Sequence, residues 1–224
     1  MRQAVPFGSG ATLQLIEDQR LDVDLRGGFQ RGLPDDACAR PEDDRWRAFC
    51  ADIRSAPLEP ARLRLLRKDG TVLGTLTLER PIADLVVMDS LVPGHRWYAV
   101  NVDLTSDVGS YSGPVLRLLD SRADTLKWAT ARNEHDTSEE IDLPTTPKTA
   151  WRLSTSARDH ARDILLVACR PDFAQPDAKD SAAFLTTYSR FTRVGNAWRK
   201  TSRSVPGIWW NEGEFPSTSL FPPS

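Results

Sequence analysis

Several residues and patterns on which chemistry usually depends are scarce or missing in this chain of 224 residues, which has only three histidines, three cysteines and two methionines. The histidines His95, His135 and His160 stand apart, with no i, i+4 pair and no H-E-x-x-H. The sequence therefore predicts no clustered-histidine metal centre and no bound metal. His135, between Glu134 and Asp136, reads as a solvated surface residue. Neither G-x-x-x-x-G-K-[ST] nor G-x-G-x-x-G occurs, which speaks against a nucleotide cofactor, and no other cofactor is implied.

No run of ~18 apolar residues is present, which excludes a membrane-spanning helix. Residues 1–10 also lack the apolar stretch of a secretory signal. The expected location is the cytoplasm, or the periplasm or exterior if an export signal has been removed. Cysteine usage leaves both open. Cys38 and Cys50 are close enough in sequence to form a disulfide in an oxidising compartment, and two thiols fit the cytosol equally. Their spacing, with no histidine nearby, is not that of a zinc site. Cys169 lies in an apolar run and reads as buried.

Charge is plentiful but balanced. The 29 basic residues face 31 acids, for a net charge of -2. The two signs alternate along the chain without a basic stripe or tail, so nucleic acid is not an expected partner.

The β-signals dominate what remains. Leu13 with Leu15, then Leu21, Val23 and Leu25, alternate into a predicted strand or hairpin ending at Gly27 and Gly28. Arg45 to Arg54 carries Trp46, Phe49, Cys50 and Ile53 at helical spacing behind acids suited to a helix start, with Pro57 as its stop. Hairpins are predicted around Lys68–Gly70 and around Gly195-Asn196. Further strands are expected at Ile82–Met88, Trp97–Leu104, Trp151–Leu153 and Asp163–Cys169. Val115–Leu119 should pair with Leu126–Ala131 across Asp120–Asp124.

The fold class is thus mostly β: an antiparallel sandwich, barrel or propeller-like sheet with one short N-terminal helix. One domain is expected over 1–224. It comprises a mixed strand and helix segment at 1–56, an antiparallel β core at 57–205, and an aromatic, proline-rich tail at 206–224 packed on that core.

Candidate chemistry is thin. Gly109 to Gly113 resembles a nucleophile elbow in outline, but tyrosine occupies the centre and Pro114 opens a strand where a helix is needed. Asp103 with Asp107, or Glu212 with Glu214, could serve a sugar hydrolase as a carboxylate pair, and the first pair could hold calcium. Neither has a linear signature, the calcium-loop arrangement is missing, and no catalytic residue is assigned.

The loop Thr105–Pro114 places one tyrosine among serines and glycines, a composition used at protein-binding surfaces because it gives contact area at low entropic cost. Asp107, Ser110, Tyr111 and Ser112 are its candidate partner-binding residues. Trp209, Trp210, Glu212 and Glu214 form a second candidate surface, with a clasp over the core as the other role for these tryptophans. The expected function is a non-enzymatic protein-binding module, of the inhibitor or immunity type found in bacteria, with another protein as partner. A carbohydrate-directed hydrolase with carboxylates assembled by the fold, and a structural or assembly subunit, are the alternatives.

Overall fold

The structure is a computed structural model that describes residues 1–7, 10–30, 38, 43–88, 91, 96–103, 113–120, 126–154, 162–174 and 183–223, with backbone alone for 28–30 and 103. Strands take 48% of the chain and helices 13%, so the protein is mostly β, as its alternating pattern predicts. The strands are β1 Gln3–Phe7, β2 Ala11–Ile16, β3 Arg62–Leu66, β4 Val72–Thr77, β5 Asp84–Val87, β6 Tyr98–Asp103 and β7 Pro114–Leu118. They continue with β8 Thr130–Arg132, β9 Ser138–Glu140, β10 Asp142–Pro144, β11 Thr149–Leu153, β12 Ile164–Pro171, β13 Phe184–Val194 and β14 Ala197–Pro206. The helices are α1 Val23–Gln30 and α2 Asp44–Ser55.

Three sheets have the orders β1-β2-β3-β4, β10-β7-β6-β5 and β11-β12-β13-β14-β8-β9. Each order has two free ends, so none of these sheets closes into a barrel. By its internal contacts the chain divides into two compact units. One contains Met1–Val86, Val100–Ser112 and Ser121–Lys127, and the other Val87–Ala99, Gly113–Asp120 and Trp128–Ser224.

In the first unit β1 to β4 form an antiparallel meander, with Leu13, Leu15, Leu63 and Leu65 buried on one face by simple alternation. The hairpin expected at Lys68–Gly70 is there, and Gly70 supplies the left-handed residue (φ 86°) that the turn requires. Helix α2 also stands where its spacing predicts. Asp43 caps it by accepting the Trp46 amide at 2.8 Å, and Cys50 on its buried side is disulfide-bonded to Cys38.

The strand expected through Leu21, Val23 and Leu25 is instead the start of α1. The Asp22 carboxylate accepts the amides of Asp24 and Leu25, both at 3.0 Å, and so caps a helix. Leu21 and Leu25 then fall on one face against Phe49, while Val23 is left 80% exposed. Capping and i, i+4 packing override the two-residue alternation.

In the second unit β11 to β14 run antiparallel, and β13 and β14 meet in ten Cα pairs on either side of the two-residue turn Gly195-Asn196. Gly195 (φ 59°) supplies the positive φ of that turn. The pairing expected between Val115–Leu119 and Leu126–Ala131 shrinks to a single bridge, Leu119 to Trp128. Beyond it β8 leaves to pair in parallel with β14 and antiparallel with β9. Ala131 is thereby buried against the six-stranded sheet, opposite Trp198.

Candidate functional site

The element that organises the candidate site is the short connection from β10 to β11. Thr145, Thr146, Pro147 and Lys148 form a turn that satisfies its own polar groups. The Thr146 and Thr149 hydroxyls lie 2.8 Å apart, the Thr146 Oγ1 accepts the Lys148 amide at 3.1 Å, and the Thr149 carbonyl accepts the Thr146 amide at 3.0 Å. Proline restricts the same turn. A turn bonded in this way sets the direction of the side chain that leaves it.

That side chain is Lys148, only 6% exposed. Its Nζ lies 4.0 Å from the ring centroid of Phe184 at the start of β13 and 4.5 Å from that of Trp210. A cation between two aromatic faces is attracted by both ring quadrupoles, and desolvation strengthens the attraction. The lysine backbone is fixed as well, since its carbonyl accepts the Cys169 amide at 2.8 Å.

Two separate stretches of chain rest on this turn. From the C-terminal side, Asn211 donates its backbone amide to the Pro147 carbonyl at 2.8 Å and its side-chain amide to the Thr146 carbonyl at 3.4 Å. From the other side comes the end of the loop Thr105–Pro114. The Pro114 carbonyl accepts the Thr145 amide at 2.9 Å. A Cβ on Gly113 would lie 2.6 Å from the Thr145 carbonyl oxygen, so only glycine fits this approach. Asp107, Ser110, Tyr111 and Ser112 themselves lie outside the described residues, as do His95 and His160. His135 is exposed in the β8–β9 connection.

The structure separates the two tryptophans that the sequence treats as a pair. Trp209 packs against the buried cluster of Ala150, Leu165, Val167, Tyr188 and Phe221. Trp210 keeps 45% of its surface exposed over Lys148. Glu212 and Glu214 are both exposed, and between them Gly213 turns the chain with φ 104°.

The rest of the tail lies on the same sheet. Phe221 stacks on Phe215 at 5.6 Å and meets Tyr188 edge-on at 5.3 Å. Arg152 lies over Phe215 at 4.4 Å, and Arg190 donates to the Pro222 carbonyl at 2.6 Å while pairing with the buried Asp163 at 2.7 Å.

Two potential nucleophiles lie near the tail, Tyr188 and Cys169. Burial, and secondarily the neighbouring Cys169, push the Tyr188 hydroxyl above its ordinary value, which keeps it neutral. Cys169 is buried with its Sγ 4.0 Å from the Gly207 carbonyl, a setting in which a thiol is inert. Among the described residues no three or more His, Cys, Asp or Glu side chains are grouped to hold a metal.

Sequence reasoning missed Lys148, Phe184 and Asn211. No linear signal marks them, because Phe184 and Asn211 reach the lysine and its turn only through the pairing of β11, β12 and β13 and the return of the tail.

Searches against protein-family models, curated proteins and solved structures find no match to this chain. Among the described residues no helix is long and apolar enough to cross a membrane.

Proposed function

We propose that the protein is a non-enzymatic protein-binding module, of the inhibitor or immunity type, that presents the loop Thr105–Pro114 to a partner protein. One observation carries this: the end of that loop, at Gly113 and Pro114, and the Trp210-Asn211 segment are both held by the turn 145–148. Binding residues on loops gain affinity when a rigid scaffold fixes their roots, because less freedom is lost on association. Trp210, half-exposed and clamped on one face by Lys148, is the kind of aromatic anchor that dominates protein interfaces. The Cys38–Cys50 disulfide further supports a site of action in an oxidising compartment.

The test is affinity capture from extracts of the source organism, with mass-spectrometric identification, using wild type and Tyr111→Ala side by side. Wild type should retain a defined partner that the variant loses, by at least about tenfold if Tyr111 is an interface anchor. The melting temperatures should agree. Identical capture by both proteins would remove the loop from the function.

A further inference from the structure

Trp210 is held in place before any partner arrives, and two exposed glutamates follow it in the chain. Trp210 is 45% exposed, yet one face of its ring already holds Lys148 Nζ at 4.5 Å from the centroid. Asn211 fixes the backbone beside it through the Pro147 carbonyl at 2.8 Å. An aromatic held in this way loses little further freedom on binding. Beyond it Glu212 and Glu214 stand exposed, and among the described residues neither carboxylate has an ion pair or hydrogen-bond partner. Two other acids of the same unit are used differently: Asp163 is paired with Arg190, and Glu139 with Lys200.

We propose that Trp210, Glu212 and Glu214 form a docking surface for an arginine- or lysine-bearing segment of another protein. This rests on the protein-binding function above and adds the chemistry of the partner. Two exposed carboxylates without a partner among the described residues, two and four positions along the chain from a fixed, half-exposed tryptophan, call for positive charge attached to an apolar body.

The position of Lys148 decides how the partner's side chain lies. One face of the indole already carries a cation, so a second cation stacked on the opposite face would be repelled through the ring. The aliphatic stem of the incoming side chain therefore covers the indole, and its charged head reaches the glutamates. Arginine suits this best, because its planar fork matches a carboxylate bidentately. The same charges repel nucleic acid and acidic segments.

Two labelled eight-residue peptides test the surface by fluorescence anisotropy on the full chain, one alternating arginine with leucine and the other glutamate with leucine. The arginine peptide should bind and the glutamate peptide should not. Replacing both acids, Glu212→Gln with Glu214→Gln, should weaken binding of the arginine peptide about five- to tenfold. Raising the salt to about 0.5 M should weaken it comparably. Both glutamates are exposed, so the double variant should keep the wild-type melting temperature.

Equal affinity for the two peptides, or an unchanged affinity in the double variant, overturns the proposal. The two levels separate cleanly. If the double variant still captures a Tyr111-dependent partner at full strength, the surface is wrong and the protein-binding function stands. If no Tyr111-dependent partner is captured while the arginine peptide still responds to the glutamates, the loop function fails and the surface stands.

Discussion

In the first unit Arg26 is buried between carboxylates, at 3.2 Å from Glu17 and 2.7 Å from Asp84, and donates to the Ala83 carbonyl at 2.8 Å. In the second, Lys148 and Arg152 lie 4.5 and 4.4 Å from the ring centroids of Trp210 and Phe215. The contrast follows from what each unit has to bury. The apolar cluster around Leu25 and Phe49 is small, and its surroundings are joined by ion networks and a disulfide. Arg20 alone bonds Asp18, Asp52 and the carbonyls of Ala56 and Pro57. The second unit has ion pairs of its own, Arg190 with Asp163 and Lys200 with Glu139, but its tail is rich in tryptophan and phenylalanine and gives Lys148 and Arg152 aromatic faces as well. Charges committed to one another hold a fold together. A ring such as that of Trp210, in a residue that keeps 45% of its surface exposed, is available to a partner.

The largest effect that would test this comparison is at Phe221. Its ring is 5% exposed between Tyr188 and Phe215, so Phe221→Ala should cost about 3–5 kcal/mol in denaturant unfolding. A loss under about 1 kcal/mol would mean that the tail is an accessory of the sheet rather than part of its core.

The disulfide comes next. Closing the loop between Cys38 and Cys50 restricts the unfolded chain, and replacing both residues with alanine should lower stability by about 3 kcal/mol. The tail and the disulfide belong to separate units, so the triple variant should show additive losses.

The smallest effect concerns pH. Hydrogen bonding to Arg20, chiefly through its side chain, holds the Asp18 carboxyl well below the usual carboxylate range, against the opposing effect of burial. A carboxyl depressed in the folded state stabilises it fully above the unfolded value of about 4 and loses that contribution as pH falls toward the folded value. Asp18→Asn should therefore be less stable than wild type near pH 7, by about 1 kcal/mol. The gap should narrow steadily below about pH 4, measured by urea unfolding across the range. A gap independent of pH would place the stabilisation elsewhere.

The elements legible in the sequence are those determined by nearby residues. Asp69-Gly70 and Gly195-Asn196 mark their hairpins because a left-handed residue is needed there and glycine provides it. Asp43 and the apolar spacing of Trp46, Phe49, Cys50 and Ile53 mark α2. The start of α1 was legible too, in Asp22 and the Leu21–Leu25 spacing, but the alternation of Leu21, Val23 and Leu25 reads more plainly as a strand. The same local logic failed at Thr130–Arg132, whose parallel partner β14 lies far along the chain. Of the candidate site, Trp210, Glu212 and Glu214 were visible as residue types, and Lys148 was not.

By itself, then, the sequence determined the β-rich class, the principal turns, helix α2 and the presence of a Ser/Gly/Tyr loop and an aromatic tail, because each depends on interactions spanning a few residues. Only the tertiary structure decided that Cys38 and Cys50 join and that Trp209 turns inward while Trp210 stays half-exposed. It also decided that the root of the loop and the tail meet at the turn 145–148. These depend on strand pairings and packing between residues far apart in the chain, where no local spacing records which ring will cover which charge.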